Sequence, residues 1–341
     1  MKLREIVSDS EQLLIENQGH WGPLWDSWAD GLLKNEDKIY EARKKFHEWH
    51  PLRIYMPIGE AKKYKTQCRF AIRYFGKDIA EIESKFKDME PYLVFDDTKD
   101  DHRKSNRKSL GLTILNENFR HPWDSKPAKR FRTELKDKVH PTPDEHMLES
   151  MVLDEMEKKI SDKFEGTLRN IQPVQLYNKL RFQMKVPFSA NQGLPQYSKS
   201  GGGIDILARI GSGQDTSLAV LELKREDKSS YKKAIAQSVI YSIGLLYLLR
   251  DENMGKKWWK LFGFKRDLPE SISIYSAATI PYSIRDEFKK ERKDLEISDD
   301  TVINIGQDQI KLGYIFFDQT SKKRIEIKGT GGMDNIIFNG K

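Results

Sequence analysis

The most restrictive feature of this sequence is a β-hairpin pattern between residues 203 and 224. Residues 203–210 (Gly-Ile-Asp-Ile-Leu-Ala-Arg-Ile) and 218–224 (Leu-Ala-Val-Leu-Glu-Leu-Lys) are rich in the apolar residues typical of strands. Residues 211–215 (Gly-Ser-Gly-Gln-Asp) separate them and have the composition of a turn. The pattern therefore predicts two antiparallel strands joined by a short connection.

The expected pairing brings three charged residues of the hairpin to one face of the sheet. Counting outward from a turn centred between Gly213 and Gln214 places Asp205 directly opposite Glu222. Because side chains alternate along a strand, Lys224 shares the face of Glu222, and the leucines on either side of Glu222 point the other way.

Two facing carboxylates need a positive charge between them. On a mainly apolar sheet such a pair repels and is destabilising. A divalent cation meets this need, and hard oxygen ligands suit Mg²⁺ or Mn²⁺. Lys224 is then placed to act on a water molecule or on a phosphate oxygen. The alternative is an ordinary exposed hairpin with a cross-strand ion pair, which is the commoner origin of an isolated Glu-x-Lys triplet.

The region from about residue 140 to 285 resembles the catalytic core of the PD-(D/E)XK nuclease superfamily. The resemblance is carried by residues 201–205 (Gly-Gly-Gly-Ile-Asp), the turn, and residues 222–224 (Glu-Leu-Lys). It departs from the family pattern at Ile204, where a proline often precedes the aspartate.

The resemblance implies a role for each residue of the hairpin motif. Asp205 and Glu222 would bind the metal. The main-chain carbonyl of Leu223 would add a ligand, and Lys224 would orient or activate the attacking water. The implied cofactor is Mg²⁺ or Mn²⁺.

Two further elements match the family in the expected order. RecB-like members carry a Gln-x-x-x-Tyr motif on the helix after the second strand, and Gln237 and Tyr241 match it here. At positions i and i+4 they share a helical face, so both side chains can reach the same site. The alternative is that they are a buried glutamine and tyrosine that hydrogen-bond only to each other. The family also has a helix before the sheet, often with a metal-binding glutamate. Glu149 is the expected residue because it lies among apolar residues, and Glu145 is the alternative.

The implied activity is hydrolysis of phosphodiester bonds in DNA, the substrate of most of the superfamily. Roles in defence against foreign DNA, in restriction and in repair are all compatible with it. One alternative is a catalytically idle core kept for nucleic-acid binding or assembly, although the intact Asp205, Glu222 and Lys224 argue against decay. Cleavage of RNA is the other alternative.

The order of expected elements, α-β-β-β-α-β, predicts an α/β fold whose mixed sheet is flanked by helices. The strands and helices include a strand-like segment around residues 180–188 and a long apolar helix over residues 229–250. We place a PD-(D/E)XK domain at residues 131–341 and an N-terminal α+β module at residues 1–130. Residues 96–109 are expected to be an exposed loop or a mobile segment, and residues 118–140 a linker or surface strand.

Net charge and cysteine content limit the classes of binding partner and the cellular compartment that we expect. The net charge of +7 fits a polyanionic partner, and the N-terminal module is the candidate for target recognition, self-association or protein binding. The single cysteine, Cys68, excludes an intramolecular disulfide and favours the cytoplasm. No signal-peptide core is present, and the apolar stretch over residues 238–249 is too short to span a membrane, so no membrane partner is expected.

Three other signals have weaker claims. Trp21, Trp25 and Trp28 recur at helical spacing, which favours a packing cluster over base stacking. Trp258 and Trp259 lie among lysines and are either a nucleic-acid or partner surface or a packed helix end. Residues 326–328 (Glu-Ile-Lys), with Asp318 upstream, form a second acid-x-lysine triplet but lack a glycine-rich approach and a following helix.

Overall fold

The computed structural model describes most of the chain. The described residues are 2–49, 51–96, 102–112, 118–136, 144–157, 168, 170–177, 179–190, 193–211, 213–225, 231–294, 297–298, 301–321 and 324–333. They form two compact units. The first unit consists of Met1–Asp26, Met151–Asn178 and Gln183–Lys341, and the second of Ser27–Ser150 and Lys179–Phe182.

The helices and strands are numbered in chain order. The helices are α1 (Leu3–Glu16), α2 (Gln18–Lys34), α3 (Glu36–Arg43), α4 (His102–Ser109), α5 (Lys126–Lys136), α6 (Glu145–Glu157), α7 (Tyr231–Arg250), α8 (Gly255–Leu261) and α9 (Arg285–Asp294). The strands are β1 (Leu52–Met56), β2 (Gln67–Tyr74), β3 (Lys77–Lys85), β4 (Pro91–Asp96), β5 (Asn118–Pro122), β6 (Ile171–Pro173), β7 (Arg181–Phe182), β8 (Lys185–Ser189), β9 (Gln196–Gly203), β10 (Ile206–Ile210), β11 (Ser217–Leu223), β12 (Ser273–Pro281), β13 (Val302–Ile305), β14 (Asp308–Ser321) and β15 (Arg324–Gly331).

The first unit is built on a mixed sheet. Its strand order is β13-β14-β12-β11-β10-β6, and β15 also pairs with β14. The strands β6, β10 and β11 are antiparallel neighbours, whereas β11, β12 and β14 run parallel. A parallel pair needs a crossover connection, and α7 lies in the chain between β11 and β12 and packs against both. The predicted α/β class with a mixed sheet flanked by helices is confirmed.

The hairpin adopts the predicted register. In the antiparallel β10–β11 ladder Ile206 pairs with Leu221. Continuing this register by one residue places Asp205, which lies just before β10, opposite Glu222. The connection between the strands contains a short 3₁₀ turn over Gly213–Asp215.

The first strand of the sheet is not the one that the sequence analysis expected. The segment at residues 180–188 divides into β7, which pairs with β1, and β8, which pairs with β9. The place beside β10 belongs to β6, where Pro173 pairs with Ala208. A three-residue edge strand that ends in proline is too short to show a two-residue periodicity, so the pattern did not reveal it.

Helix α7 is apolar on nearly every side because it is buried nearly throughout. Ser276 of β12 donates a hydrogen bond to Ser238 of α7 at 2.8 Å, and Tyr247 of α7 donates to Glu11 of α1 at 3.2 Å. These bonds fix the rotation of the helix on the sheet. The predicted helix is confirmed from Tyr231 onward, and residues 226–230 lie outside the described residues. In the described part of the chain, no helix combines the length and apolar character that crossing a bilayer requires.

The tryptophans pack in the interior. Trp21 and Trp25 meet edge to face, with 4.8 Å between ring centroids, and the indole N–H of Trp258 donates to the Trp25 carbonyl at 3.3 Å. Trp28 and Trp259 are also buried. The prediction that Trp21, Trp25 and Trp28 pack in the interior is confirmed. Trp258 and Trp259 are buried as well, so neither presents an open ring face for base stacking.

The second unit combines helices with a six-stranded sheet of order β5-β4-β3-β2-β1-β7. All neighbours are antiparallel except β1 and β7. The β2–β3 turn requires Gly76, since a Cβ there would lie 2.0 Å from the main-chain oxygen of His146. This unit has the α+β character expected for the N-terminal module.

Helix α4 corrects the expectation of an exposed loop or mobile segment for residues 102–109, whereas residues 97–101 lie outside the described residues. Arg107 is buried and donates to the main-chain oxygen of Ile79, and the Asn106 side-chain amide donates to the main-chain oxygen of Asp78 at 2.8 Å. The segment is polar because its side chains bind strand carbonyls, so its composition alone suggested the wrong structure.

Helix α5 corrects the expectation of a linker within residues 118–140, whereas the surface strand expected there is present as β5. α5 buries Ala128, Phe131 and Leu135, whose spacing places them on one helical face. The basic residues between them masked this short amphipathic pattern.

The compact units divide the chain differently from the boundary expected at residues 130 and 131. Residues 1–26 belong with the first unit because α1 packs against α7, and residues 131–150 belong with the second. A compact unit is defined by its contacts, which chain order does not reveal.

Candidate active site

A run of glycines at the end of β9 leads into the hairpin. A Cβ on Gly202 would lie 2.2 Å from the main-chain oxygen of Phe188 and 2.8 Å from the hydroxyl of Tyr241. Gly201 has φ +71°, and a Cβ there would lie 2.5 Å from the Val186 carbonyl oxygen. Only glycine permits this approach of β9 to β8 and to the Tyr241 ring of α7.

We expect Gly202→Ala to destabilise the protein by about 1–3 kcal/mol, since the overlap is with a backbone atom that cannot move aside cheaply. Thermal or urea unfolding measures the change. Gly19→Ala is the matched control, because a Cβ at that helical position meets nothing within 4 Å. The control should be neutral or stabilising by up to about 1 kcal/mol. Equal destabilisation of the two variants would show that the close approach does not exist.

Asp205 and Glu222 bind each other's strands. The backbone N–H of Asp205 donates to Glu222 Oε1 at 3.2 Å, and the backbone N–H of Leu223 donates to Asp205 Oδ2 at 2.9 Å. Glu222 is 2% exposed and Asp205 is half-buried. The two carboxyl groups therefore lie in contact at the open end of the hairpin, where the sequence analysis placed them.

The electrostatics of Glu222 show the cost of this contact. Burial raises the pKa of the Glu222 carboxyl well above its usual range, and the neighbouring Asp205 raises it further. The charge of Lys224 acts in the opposite direction and is the weaker effect. A second positive charge at this point would stabilise the ionised pair.

Lys224 lies beside the pair and is half-buried. Its backbone N–H donates to the carbonyl oxygen of Thr279 on β12 at 3.0 Å. The register pairs Thr279 with Leu223, so the Thr279 hydroxyl lies on the sheet face that points away from Glu222. That hydroxyl is buried, and no partner for it lies among the described residues. Nothing in the sequence distinguishes Thr279, because a single threonine is common in an apolar strand.

Tyr241 reaches the site from α7, and Gln237 lies one turn before it on the same helix. Burial raises the pKa of the Tyr241 hydroxyl, and the carboxylates of Glu222 and Asp205 add to the increase. Gln237 is 6% exposed, and its Oε1 has no hydrogen-bond partner among the described residues. Tyr241 therefore does not donate a hydrogen bond to Gln237 Oε1. That oxygen is a buried acceptor with no partner in the described part of the chain, on the same helix as Tyr241.

Glu149 belongs to the second unit, whereas the hairpin belongs to the first. It is 4% exposed, and its carboxylate lies 3.6 Å from Arg73 and 3.9 Å from His146. The acid is therefore paired, which removes the argument that its burial among apolar residues requires a metal. Glu145, the alternative, is exposed. A metal-binding role for either residue stays a prediction.

The hairpin residues fit a small divalent cation. Among the described residues, no group of three or more His, Cys, Asp and Glu side chains is arranged to hold a metal. Mg²⁺, however, typically binds one or two carboxylates and completes its shell with water and substrate oxygens. Asp205 and Glu222, in contact and electrostatically strained, form such a set, and the main chain of Leu223 adjoins them.

The second acid-x-lysine triplet is arranged differently. Asp318 pairs with Glu326 across β14 and β15, but the Lys328 ammonium group lies 2.9 Å from the Glu326 carboxylate. The Glu326 side chain is 51% exposed. Because Lys328 already neutralises the exposed Glu326 carboxylate, this triplet does not require a metal cation.

Compared with known proteins, the chain matches no family model, no curated protein and no solved structure.

Proposed function

We propose that this chain is a Mg²⁺- or Mn²⁺-dependent nuclease that hydrolyses phosphodiester bonds of DNA at an active site of the PD-(D/E)XK type. The observation that carries the proposal is the buried contact between the Asp205 and Glu222 carboxyl groups with Lys224 beside it. Structural ion pairs do not require two acids in contact, whereas a metal-dependent phosphodiesterase does.

The topology supports the same proposal. An antiparallel run β6-β10-β11 is followed by α7 and by β12, which is parallel to β11. This is the strand and helix order that the PD-(D/E)XK resemblance implies, with the acids at the open end of the hairpin and the Gln-x-x-x-Tyr pair on the helix.

Each residue has a specific task in the proposed reaction. A divalent cation held by Asp205 and Glu222 would lower the pKa of water and polarise the phosphoryl group. The Leu223 N–H holds the Asp205 carboxylate in position. The Lys224 ammonium group stabilises the negative charge that develops on the phosphate oxygens. Gln237 Oε1, which no described residue binds, is an acceptor for the attacking water.

DNA is favoured over RNA because the PD-(D/E)XK resemblance points to a superfamily that mainly cuts DNA, and the net charge of +7 suits either polyanion. A catalytically idle binding module is the second candidate. A binding module has no need of the Asp205–Glu222 contact, and without a cation that contact destabilises the protein. The proposed reaction would serve defence, restriction or repair in the cytoplasm.

The test is incubation of the full chain with linear, circular, single-stranded and double-stranded DNA, and with matched RNA. Cleavage of DNA in Mg²⁺ or Mn²⁺ that EDTA abolishes is the expected result. A protein that retains DNA in EDTA and cuts nothing in either metal would be the idle binding module. Preferential cleavage of RNA would overturn the choice of substrate.

A further inference from the structure

One part of the first unit is rich in positive charge. Residues 255–266, which form α8 and the turn after it, contain five basic residues and no acidic one. Lys257 is neutralised by Asp26 at 2.7 Å. The other four, with one arginine of β10, are called the α8 basic surface: Arg209, Lys256, Lys260, Lys265 and Arg266.

The lysines of this surface do not serve the fold through ion pairs. Lys256, Lys260 and Lys265 are exposed, and none of them has an acid within ion-pair distance among the described residues. Arg209 is half-buried, and its partner in the described part of the chain is the Gly263 carbonyl oxygen at 3.5 Å. Burial alone lowers the pKa of Arg209, with no carboxylate raising it. Arg209 therefore adds a positive charge that no carboxylate among the described residues neutralises.

The surface is held rigidly. Trp258 of α8 is fully buried, and the rings of Trp259 and Phe264 stack with 3.7 Å between centroids. Arg266 donates to the Thr216 carbonyl oxygen at 2.5 Å, which joins the turn to the start of β11. Rigid placement lowers the entropy cost when such side chains bind a ligand.

The surface lies toward the turn end of the hairpin, whereas Asp205 and Glu222 lie at its open end. Helix α7 covers the sheet face between them, where Leu207 is buried. Alternate residues of a strand point to the same side, so Arg209 faces as Asp205 does. Four residues of strand separate them by about 13 Å. That distance corresponds to about four base pairs of duplex, at about 3.4 Å per pair.

We propose that the α8 basic surface binds the phosphate backbone of DNA a few base pairs away from the cleavage site. This inference rests on the proposed function and adds the part of the molecule that holds the substrate. Exposed lysines with no acid placed among them fit a polyanion, whereas a protein partner would require apolar contact area that the buried tryptophans do not offer.

The test compares two triple variants of the full chain. Lys256→Gln, Lys260→Gln and Lys265→Gln together remove the three exposed lysine charges of the surface. Lys44→Gln, Lys63→Gln and Arg130→Gln remove three charges that already face Glu41, Glu60 and Glu134. The two variants have the same net charge, and circular dichroism and thermal melting confirm that each is folded.

Binding of a fluorescein-labelled 30-base-pair duplex is measured in EDTA as a function of salt concentration. Removing one lysine–phosphate interaction makes the slope of log K against log salt shallower by roughly 0.9. We expect the slope of the α8 variant to be shallower by roughly 2–3 and its affinity at 0.1 M salt to fall at least about tenfold. In Mg²⁺ its KM for DNA should rise more than its kcat falls. The control variant should bind nearly as wild type does.

Each other outcome has a distinct meaning. Unchanged affinity and slope in the α8 variant, with cleavage intact in the wild type, would overturn the surface but not the proposed function. An equal reduction of affinity in the two variants would attribute binding to net charge and overturn the surface as well. A wild type that neither binds nor cuts DNA would overturn both proposals.

Discussion

We expect the replacement of Asp205 by Asn or of Glu222 by Gln to reduce the proposed metal-dependent DNA cleavage at least about a thousandfold, because each change removes one of the two negative charges that would hold the cation. Replacing Lys224 by Met should reduce it by about a hundred- to a thousandfold, the range expected when a variant lacks one preorganised electrostatic interaction with the transition state. Single-turnover cleavage of a labelled duplex in Mg²⁺ measures these effects.

The amide variants are chosen because they preserve the backbone hydrogen bonds. Asp205→Ala would leave the Leu223 N–H without its acceptor, which costs about 1–3 kcal/mol and confuses loss of activity with loss of fold. Glu326→Gln and Lys328→Met are the controls, since they alter the second acid-x-lysine triplet in the same way. We expect both controls to cleave as the wild type does. Full activity in Asp205→Asn, Glu222→Gln and Lys224→Met would remove the proposed active site.

The second large effect concerns the stability of the Glu222→Gln variant, which should increase although its activity falls. Glu222→Gln should stabilise the metal-free protein near pH 8, because the amide cannot ionise, whereas the folded wild type must keep either a buried negative charge beside Asp205 or a proton that the unfolded chain releases. For a chain of this size the melting temperature should rise by a few degrees. Activity is lost while stability increases, which is the trade-off expected where function requires a strained group.

The pH dependence follows from the direction of the shift. The pKa of Glu222 is raised in the folded protein, so the folded state keeps a proton that the unfolded state releases above about pH 4.3. The wild type therefore loses stability as pH rises from there toward the folded pKa, and the variant does not. Differential scanning fluorimetry between pH 5 and 9 tests this. A constant difference between the two proteins at all pH values would contradict it.

The same melting experiment is repeated with added Mg²⁺. We expect Mg²⁺ to bind the folded wild type and to raise its melting temperature, with a smaller effect on Glu222→Gln. Glu326→Gln removes an exposed acid and should stay within about 0.5 kcal/mol of the wild type under every condition. A metal effect of equal size in all three proteins would place the cation somewhere other than the hairpin.

The hairpin was predictable because its signals are local. Two apolar strands and a glycine-containing turn determine which residues face each other, and the observed pairing of Ile206 with Leu221 is the one obtained by counting from the turn. The apolar run of α7 was equally visible, since a helix buried nearly throughout needs apolar residues on almost every face.

Other features depended on contacts between distant parts of the chain. Polar α4 exists because Arg107 and Asn106 bind carbonyl oxygens of the strand β3, and no local pattern predicts such partners. Glu149 was selected as an unpaired acid, but Arg73, more than seventy residues earlier, lies beside it. Sequence proximity to apolar residues is a poor guide to whether a buried charge is compensated.

The sequence by itself determined the register of the hairpin and hence which acids and lysine share a face, because turn length and the alternation of side chains are properties of neighbouring residues. Only the tertiary structure decided how deeply Glu222 is buried, which acids have cationic partners, and that residues 1–26 pack against α7. Those outcomes depend on which distant side chains fill the same volume, and packing of that kind is a property of the whole folded chain.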